Sequence, residues 1–126
     1  MRALQVIHSA YRCTIEEQDD PAVWITHALK GAGAELGVLL RGNAVNYAVE
    51  GQDASGLSFG GMTQTHPPRI DRDVAGLVEK GISVFVVNED AADRGIGSSG
   101  YVPGVEGIAR ANIPKLFAEY DQVWSW

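Results

Sequence analysis

The chain has 126 residues and a formal charge of −6 at pH 7, with 45% apolar and 21% charged residues. This size is typical of one domain, so we treat residues 1–126 as a single domain that buries a core without disulfides or a structural metal. The negative charge argues against a nucleic-acid partner, because surfaces that follow phosphates gather Lys and Arg.

Two further properties concern the compartment. No run approaches the roughly 20 apolar residues that cross a bilayer, so no membrane association is expected. Cys13 is the only cysteine, and the first seven residues are too short for the apolar part of a signal peptide. The sequence therefore predicts a cytoplasmic protein.

Short apolar runs alternate with helical patterns, which is typical of parallel strands joined by crossover helices. Residues 3–7 predict the first strand. Asp20 and Pro21 predict an N-cap and a first-turn proline for the first helix. The predicted core face of this helix consists of Ala22, Ile25, Leu29 and Ala32.

The middle of the chain contains one strand, a long loop and one helix. Residues 36–40 predict a second strand that is apolar on both faces, and Asn43 predicts the cap of a short helix after it. Residues 50–69 are rich in glycine and proline with little periodicity, which predicts a long loop. Asp71 predicts the cap of the next helix, whose core face consists of Val74, Leu77 and Val78.

The second half predicts the remaining sheet strands. Residues 82–87 are the most hydrophobic run and predict a central strand, after which Asn88, Glu89 and Asp90 offer a cap for a short helix. Residues 105–109 predict a fourth strand, Asn112 predicts the cap of a last helix, and residues 122–126 predict a terminal strand. The predicted fold is α/β: one doubly wound, mainly parallel five-stranded sheet with helices on both faces.

Ligands of open parallel sheets bind at the carboxyl ends of the strands, and this rule selects the candidate site. Cys13 is the candidate nucleophile, because a nearby His8 could favour its thiolate, although a lone cysteine is more often inert. Asn and Asp at such positions more commonly satisfy turns and helix caps than bind ligands, and Asn43, Asn88 and Asp90 keep that alternative open. The candidate ligand-binding residues are His8, Tyr11, Arg41, Asn43, Asn88 and Glu89.

Two other patterns could indicate a cofactor site or a metal site, but neither predicts one here. Residues 95–100 match G-x-G-x-x-G, but this dinucleotide fingerprint needs a strand before it and a helix after it. A short helix precedes it here and Pro103 follows, so we expect a mobile surface loop. His8, His27 and His66 have no metal-motif spacing, and we expect structural or surface roles for them.

Two segments resemble a known family. Residues 38–48 (VLLRGNAVNYA) and 81–96 (GISVFVVNEDAADRGI) are similar to the DsrE/DsrF-like family of sulfur-relay (TusD-like) proteins, and the similarity spans nearly the whole chain. The resemblance implies a doubly wound, mainly parallel sheet and assembly into trimers or hexamers. It also implies a persulfide-bearing cysteine at the end of the third strand, where this chain has Val87.

The leading hypothesis is therefore a non-catalytic, homo-oligomeric domain of the DsrE/DsrF-like type. It would hold a small polar ligand or a partner's tail near Tyr11, Arg41, Asn43 and Asn88. The alternative enzyme is a sulfurtransferase or persulfide carrier that acts through Cys13. A third hypothesis is a structural subunit that pairs with a cysteine-bearing sulfur-carrier protein.

Overall fold

A computed structural model describes residues 1–13, 15–16 and 19–126. Short 3-10 helices occupy Gly42–Ala48, Ser98–Gly100 and Arg110–Asn112. The strands and α-helices, in chain order, are β1 (Arg2–Ile7), α1 (Pro21–Gly31), β2 (Glu35–Leu40), β3 (Ser58–Phe59), β4 (Met62–Thr63), α2 (Ile70–Glu79), β5 (Ser83–Val87), α3 (Asn88–Asp93), β6 (Glu106–Ile108), α4 (Ile113–Ala118) and β7 (Gln122–Ser125).

The main sheet has five strands in the order β6-β5-β2-β1-β7, and all neighbouring pairs are parallel. This arrangement confirms the predicted five-stranded α/β fold. The strand after α2 was expected at the centre, but β2 is central and β5 lies between β2 and β6. Both strands are nearly all apolar because both of their faces are covered.

The two faces of the sheet are covered unequally. On one face, α1, α2 and the 3-10 helix at Gly42–Ala48 pack on the larger core, which includes Ile7, Val38, Leu40, Val84 and Val86. On the other face, α4 covers a smaller core of strand residues Leu4, Val6, Leu39 and Val87. Parallel sheets need cover on both faces, and a helix of six residues provides it on the second face.

The predicted start of α1 is confirmed. The Asp20 carboxylate accepts the backbone N–H of Ala22 at 2.8 Å and that of Val23 at 3.1 Å, as an N-cap does. The predicted core face of α1 is wrong in part: Ala22 is buried, but Ile25 and Leu29 are only half-buried and Ala32 is exposed. The remaining buried residues of this helix are Val23 and Thr26.

The other predicted side-chain caps are wrong. The helices after Asn43, Asp71, Asn88 and Asn112 have no side-chain cap hydrogen bond, and α2 and α3 begin at or before the expected cap. Asn43, Asp71 and Asn88 bond instead to Arg94, to Gly51 and to Tyr101. Asn112 has helical backbone angles (φ −91°, ψ −4°), whereas a side-chain cap needs an extended backbone.

The long segment 50–69 contains a two-stranded antiparallel hairpin that was not predicted. Gly60 and Gly61 form its turn with φ +55° and +84°, a conformation that glycine adopts readily. Phe59 and Met62 on this hairpin are 60% and 78% exposed. Within the described residues, no helix combines the length and the apolar character that crossing a bilayer requires.

Candidate functional site

The loop after β1 places Tyr11 and Cys13 at a cavity of about 180 Å³ near the carboxyl edge of the sheet. The Tyr11 hydroxyl donates to Gln52 Oε1 at 2.6 Å, and its ring meets the Tyr47 ring edge-on at 5.3 Å. Gln52 Nε2 in turn donates to the carbonyl oxygens of Asn46 and Val49. The other lining residues are Asp53, Ala54, Pro68 and Ile70.

A buried Tyr47–Asp20 pair supports this loop. The Tyr47 hydroxyl donates to Asp20 Oδ2 at 2.6 Å and accepts the Arg12 N–H at 3.0 Å, and both side chains of the pair are fully buried. Burial, and then the hydrogen bond to Asp20, raises the pKa of Tyr47, so its hydroxyl keeps its proton and remains a donor. The Tyr47 hydroxyl thus joins the β1 loop to the 3-10 helix, and the Asp20 carboxylate joins that hydroxyl to α1.

The surroundings of Cys13 disfavour its thiolate. Burial raises the pKa of the thiol, and a hydrogen bond from its own backbone opposes this only in part. The carboxylates of Asp20, Asp73 and Asp19 raise it further. The charges acting on this thiol are therefore negative, whereas activated cysteines lie near positive groups or helix N-termini.

The ionised form of Asp73 on α2 is disfavoured by its surroundings. Burial, and then the neighbouring carboxylates of Asp19 and Asp71, raises the pKa of Asp73 to about 6. Its Oδ2 atom is buried and has no hydrogen-bond partner among the described residues. The nearby His27 is structural, since its ring nitrogens lie 2.9 Å from the Asp73 carbonyl oxygen and 2.8 Å from Lys80 Nζ.

Asn43 and Glu89 belong to a separate polar network at the same edge of the sheet. Asn43 Oδ1 accepts from Arg94 Nη2 at 2.8 Å, and the Glu89 carboxylate accepts the Arg110 N–H at 2.9 Å. These contacts occupy both side chains with other parts of the chain, so Asn43 neither caps a helix nor lines the cavity.

Asp90 lies in the middle of this network. Its Oδ2 accepts the Gly42 N–H at 2.8 Å, and its Oδ1 forms an ion pair with Arg110. Although burial opposes ionisation, these two partners hold the pKa of Asp90 below its usual range. The network therefore ties α3 to the turn after β2 and to the segment after β6.

The remaining candidates lie outside the cavity lining. Asn88 accepts from the Tyr101 hydroxyl at 3.2 Å and its side chain covers Gly107. His8 is exposed, and burial of part of its ring, with the positive charges of Arg41 and Arg12, lowers its pKa. The cavity lining thus contains Tyr11 and Cys13 but not His8, Arg41, Asn43, Asn88 or Glu89.

Sequence reasoning missed several residues that shape the site. Tyr47 carried a usable signal, because a tyrosine within an apolar segment needs a buried partner for its hydroxyl. Gln52 and Asp73 carried none, since their roles depend on contacts between distant segments.

Val87 is fully buried beside Leu4, Val6 and Leu39. Among the described residues, no group of three or more His, Cys, Asp or Glu side chains could hold a metal ion.

Comparison with known proteins supports the fold and gives no information on the chemistry. No family model matches the chain, and no curated protein matches it. Among solved structures, the crystal structure of the ychN protein from E. coli superposes with a TM-score of 0.74 at 16% sequence identity, over 100% of both chains. This likeness supports the DsrE/DsrF-like fold that the sequence resemblance implied, and at this identity it shows the fold alone.

Proposed function

We propose that this protein is a non-catalytic, homo-oligomeric domain of the DsrE/DsrF-like type that holds a small ligand in the cavity beside Tyr11 and Cys13. The observation that carries the proposal is this cavity, which lies at the strand-end edge where open α/β sheets bind ligands. Its volume of about 180 Å³ is below the roughly 300–1,000 Å³ of sites for drug-sized molecules. The ligand would therefore have few non-hydrogen atoms, or would be the end of a longer chain.

The lining suggests the chemistry of this ligand. Ala54, Pro68 and Ile70 offer apolar contacts, and the Tyr11 hydroxyl has a free acceptor lone pair after it donates to Gln52. Asp53 lines the cavity, and Asp73 acts on the adjacent thiol, so the local field is negative. A neutral or cationic group with one hydrogen-bond donor fits this lining better than an anion does.

The experiment is a small-fragment screen by ¹H–¹⁵N NMR. A ligand of this cavity should shift the amide signals of residues 11–13 and 52–54, and Ala54→Leu should abolish the effect by filling the cavity. Ala92→Leu, on the exposed surface of α3, is the matched control and should bind as the natural chain does. A screen without hits at these residues, or hits that Ala54→Leu leaves unchanged, would contradict the proposal.

The homo-oligomer in this proposal is supported by exposed apolar side chains, and its size of three or six chains is what the family resemblance implies. Trp24, Phe59 and Met62 are each more than half exposed, and Phe59 and Met62 are paired across the hairpin, where they offer apolar surface that a second chain could cover. Light scattering coupled to size exclusion should give a mass of three or six chains, and Phe59→Glu should lower it. A natural chain that stays monomeric at high concentration would contradict this part of the proposal.

Sulfur transfer through Cys13 is the second candidate, because this thiol reaches the cavity at the expected edge of the sheet. In that reaction the thiolate attacks the outer sulfur of a persulfide donor, the donor leaves as a thiol and Cys13 becomes the persulfide. Mass spectrometry after incubation with a donor would show an adduct of about 32 Da, absent in Cys13→Ala. We expect no such adduct, because the carboxylates around Cys13 disfavour both its thiolate and the anion of its persulfide.

A third candidate is a structural subunit beside a cysteine-bearing sulfur-carrier protein. Val87 at the end of β5 is buried and its side chain has no reactive group, so a partner would have to supply the thiol. Copurification of such a carrier with the tagged chain would favour this role, whereas a homo-oligomer that captures no carrier would favour the first.

A further inference from the structure

The order of the strands in the main sheet reverses at β1. The chain passes from β1 through β2 and β5 to β6 on one side of β1, and it then returns to place β7 on the other side. Open α/β sheets bind ligands outside the carboxyl ends of the strands, at the point where the strand order reverses. His8 lies at this point, because it directly follows β1 and its N–H donates at 2.9 Å to the carbonyl oxygen of Trp126, just after β7.

Backbone hydrogen bonds bring two arginines to the same end of β1. The Arg41 N–H donates to the Ile7 carbonyl oxygen at 3.0 Å. Since β1 and β2 are paired in register up to their last residues, His8 and Arg41 occupy corresponding positions after two neighbouring strands. The Arg12 N–H donates to the Tyr47 hydroxyl at 3.0 Å, which attaches the β1 loop to the 3-10 helix that begins directly after Arg41.

The guanidinium groups of these two arginines lack an acceptor. Arg12 and Arg41 are half-buried, and in the part of the chain that the structure describes no oxygen accepts a hydrogen bond from either guanidinium group. In contrast, Arg2, Arg94 and Arg110 each donate to an oxygen of the chain. A guanidinium group carries five N–H donors in a fixed fork, and an oxyanion supplies the acceptors that this fork fits.

The other charged groups nearby leave these donors available. Asp90 is a carboxylate close to Arg41, but its two oxygens already accept the Gly42 N–H and pair with Arg110. Partial burial of its ring, and then the positive charges of the two unbonded guanidinium groups, lower the pKa of the exposed His8. A positive region therefore lies at the end of β1, on a chain with a formal charge of −6.

We propose that Arg12 and Arg41 bind a phosphoryl group at the end of β1, beside His8. Each guanidinium group donates to oxygens of the phosphoryl group, and two arginines match its charge. A phosphoryl group carries roughly 1.5 to 2 negative charges at neutral pH and three acceptor oxygens, whereas a carboxylate carries one charge on two oxygens. Inorganic phosphate and small phosphate monoesters both offer such a group. The proposal is independent of the ligand proposed for the Tyr11 cavity.

The first test is a ¹H–¹⁵N NMR titration of the full chain with inorganic phosphate at pH 7 and constant ionic strength. Binding should shift the amide signals of His8, Arg12 and Arg41. Arg12→Gln and Arg41→Gln should each weaken binding at least about tenfold, which corresponds to about 1.4 kcal/mol. Lys30→Gln removes a positive charge from the last turn of α1, shortly before β2 begins, and is the matched control. It should leave the dissociation constant within about twofold of that of the natural chain.

A second pair of variants protects the test against a folding defect. Arg12→Met and Arg41→Met keep an apolar stem where the half-buried side chains pack, and they should weaken binding as the glutamine variants do. Acetate needs no variant, and the natural chain should bind it at least about tenfold more weakly than phosphate. The proposal is overturned if phosphate shifts none of these amides, if acetate binds equally well, if a folded variant of either arginine binds like the natural chain, or if Lys30→Gln weakens binding as much.

n-Propyl phosphate distinguishes the two sources of the phosphoryl group. If it binds at least as tightly as inorganic phosphate, the site is assigned to the phosphorylated end of a larger molecule. If inorganic phosphate binds and the ester does not, the site is assigned to the free anion. Both results support the proposed chemistry and differ only in what carries the phosphoryl group.

Discussion

Asp73→Asn should make the protein more stable at neutral pH, because Asp73 is ionised there at a cost. The carboxyl is partly buried, it lies near the carboxylates of Asp19 and Asp71, and its Oδ2 has no partner among the described residues. Asparagine has nearly the same shape, carries no charge and can donate a hydrogen bond to Asp19. The substitution therefore removes repulsion between like charges without leaving a cavity.

The magnitude follows from the pKa of Asp73, which is raised from 3.8 to about 6. At about 1.36 kcal/mol per pKa unit, this shift corresponds to roughly 3 kcal/mol if solvent does not screen it. The side chain is only partly buried and solvent screens part of the interaction, so we expect about 1–2 kcal/mol.

The sign of the pH dependence follows from proton binding. Between about pH 4 and pH 6 the folded chain keeps the Asp73 proton that the unfolded chain has lost. The contribution of Asp73 to stability is therefore fully present below about pH 4, declines as the pH rises towards 6 and is absent above it. Asp90, whose pKa is lowered, contributes in the opposite direction in both proteins, so the difference between variant and natural chain isolates Asp73.

Urea unfolding at pH 4 and at pH 8 measures this difference. Asp73→Asn should gain about 1–2 kcal/mol at pH 8 and nothing at pH 4. Asp93→Asn, on the exposed end of α3, should differ from the natural chain by less than about 0.5 kcal/mol at both values. A variant that is less stable at pH 8, or equally stabilised at both pH values, would refute the electrostatic argument.

Three further predictions concern Tyr47, Cys13 and Gly104. Tyr47→Phe leaves the buried Asp20 Oδ2 without its donor and should cost about 2–3 kcal/mol in urea unfolding, whereas Tyr120→Phe, whose ring keeps its contact with Arg2, should cost under about 1 kcal/mol. Alkylation of Cys13 by iodoacetamide should have its inflection at higher pH than that of a free model thiol, and Asp73→Asn should lower it; an inflection at or below the model thiol would contradict the negative surroundings. Gly104→Ala places a Cβ 2.5 Å from Val78 Cγ1 at φ +91° and should lower stability by about 1–3 kcal/mol, more than Gly33→Ala, which has a similar φ of +93° and open space around it; equal losses in thermal melts would exclude the steric part.

The fold was predictable because its determinants are local. The apolar run at residues 36–40 lies in β2, the run at 82–87 coincides with β5 except for Ile82, and the Asp20–Pro21 pair starts α1 as an N-cap signal should. In each case a few neighbouring residues indicate either a buried strand or a partner for the first backbone N–H groups of a helix. The Gly60–Gly61 turn was a hairpin signal of the same local kind that the interpretation as a loop passed over.

The site was predicted less well because side-chain partners are set by distant contacts. Asn43 could have capped a helix, but Arg94, 51 residues away, takes its oxygen. Asp71 could also have capped a helix, but it accepts from Gly51, 20 residues earlier. A polar residue at a helix start has several possible partners, and its sequence position does not state which one the fold brings close.

The charged groups around the predicted site residues differ along this edge. His8 lies with Arg41 and Arg12, whose positive charges lower its pKa, whereas Cys13 faces carboxylates that raise its own. A thiol that carried persulfide would need the first environment, and this chain places it in the second. The same carboxylates favour a neutral or cationic occupant beside Tyr11. The chemistry that we propose for the Tyr11 cavity is therefore recognition of a hydrogen-bond donor, which the fragment screen tests.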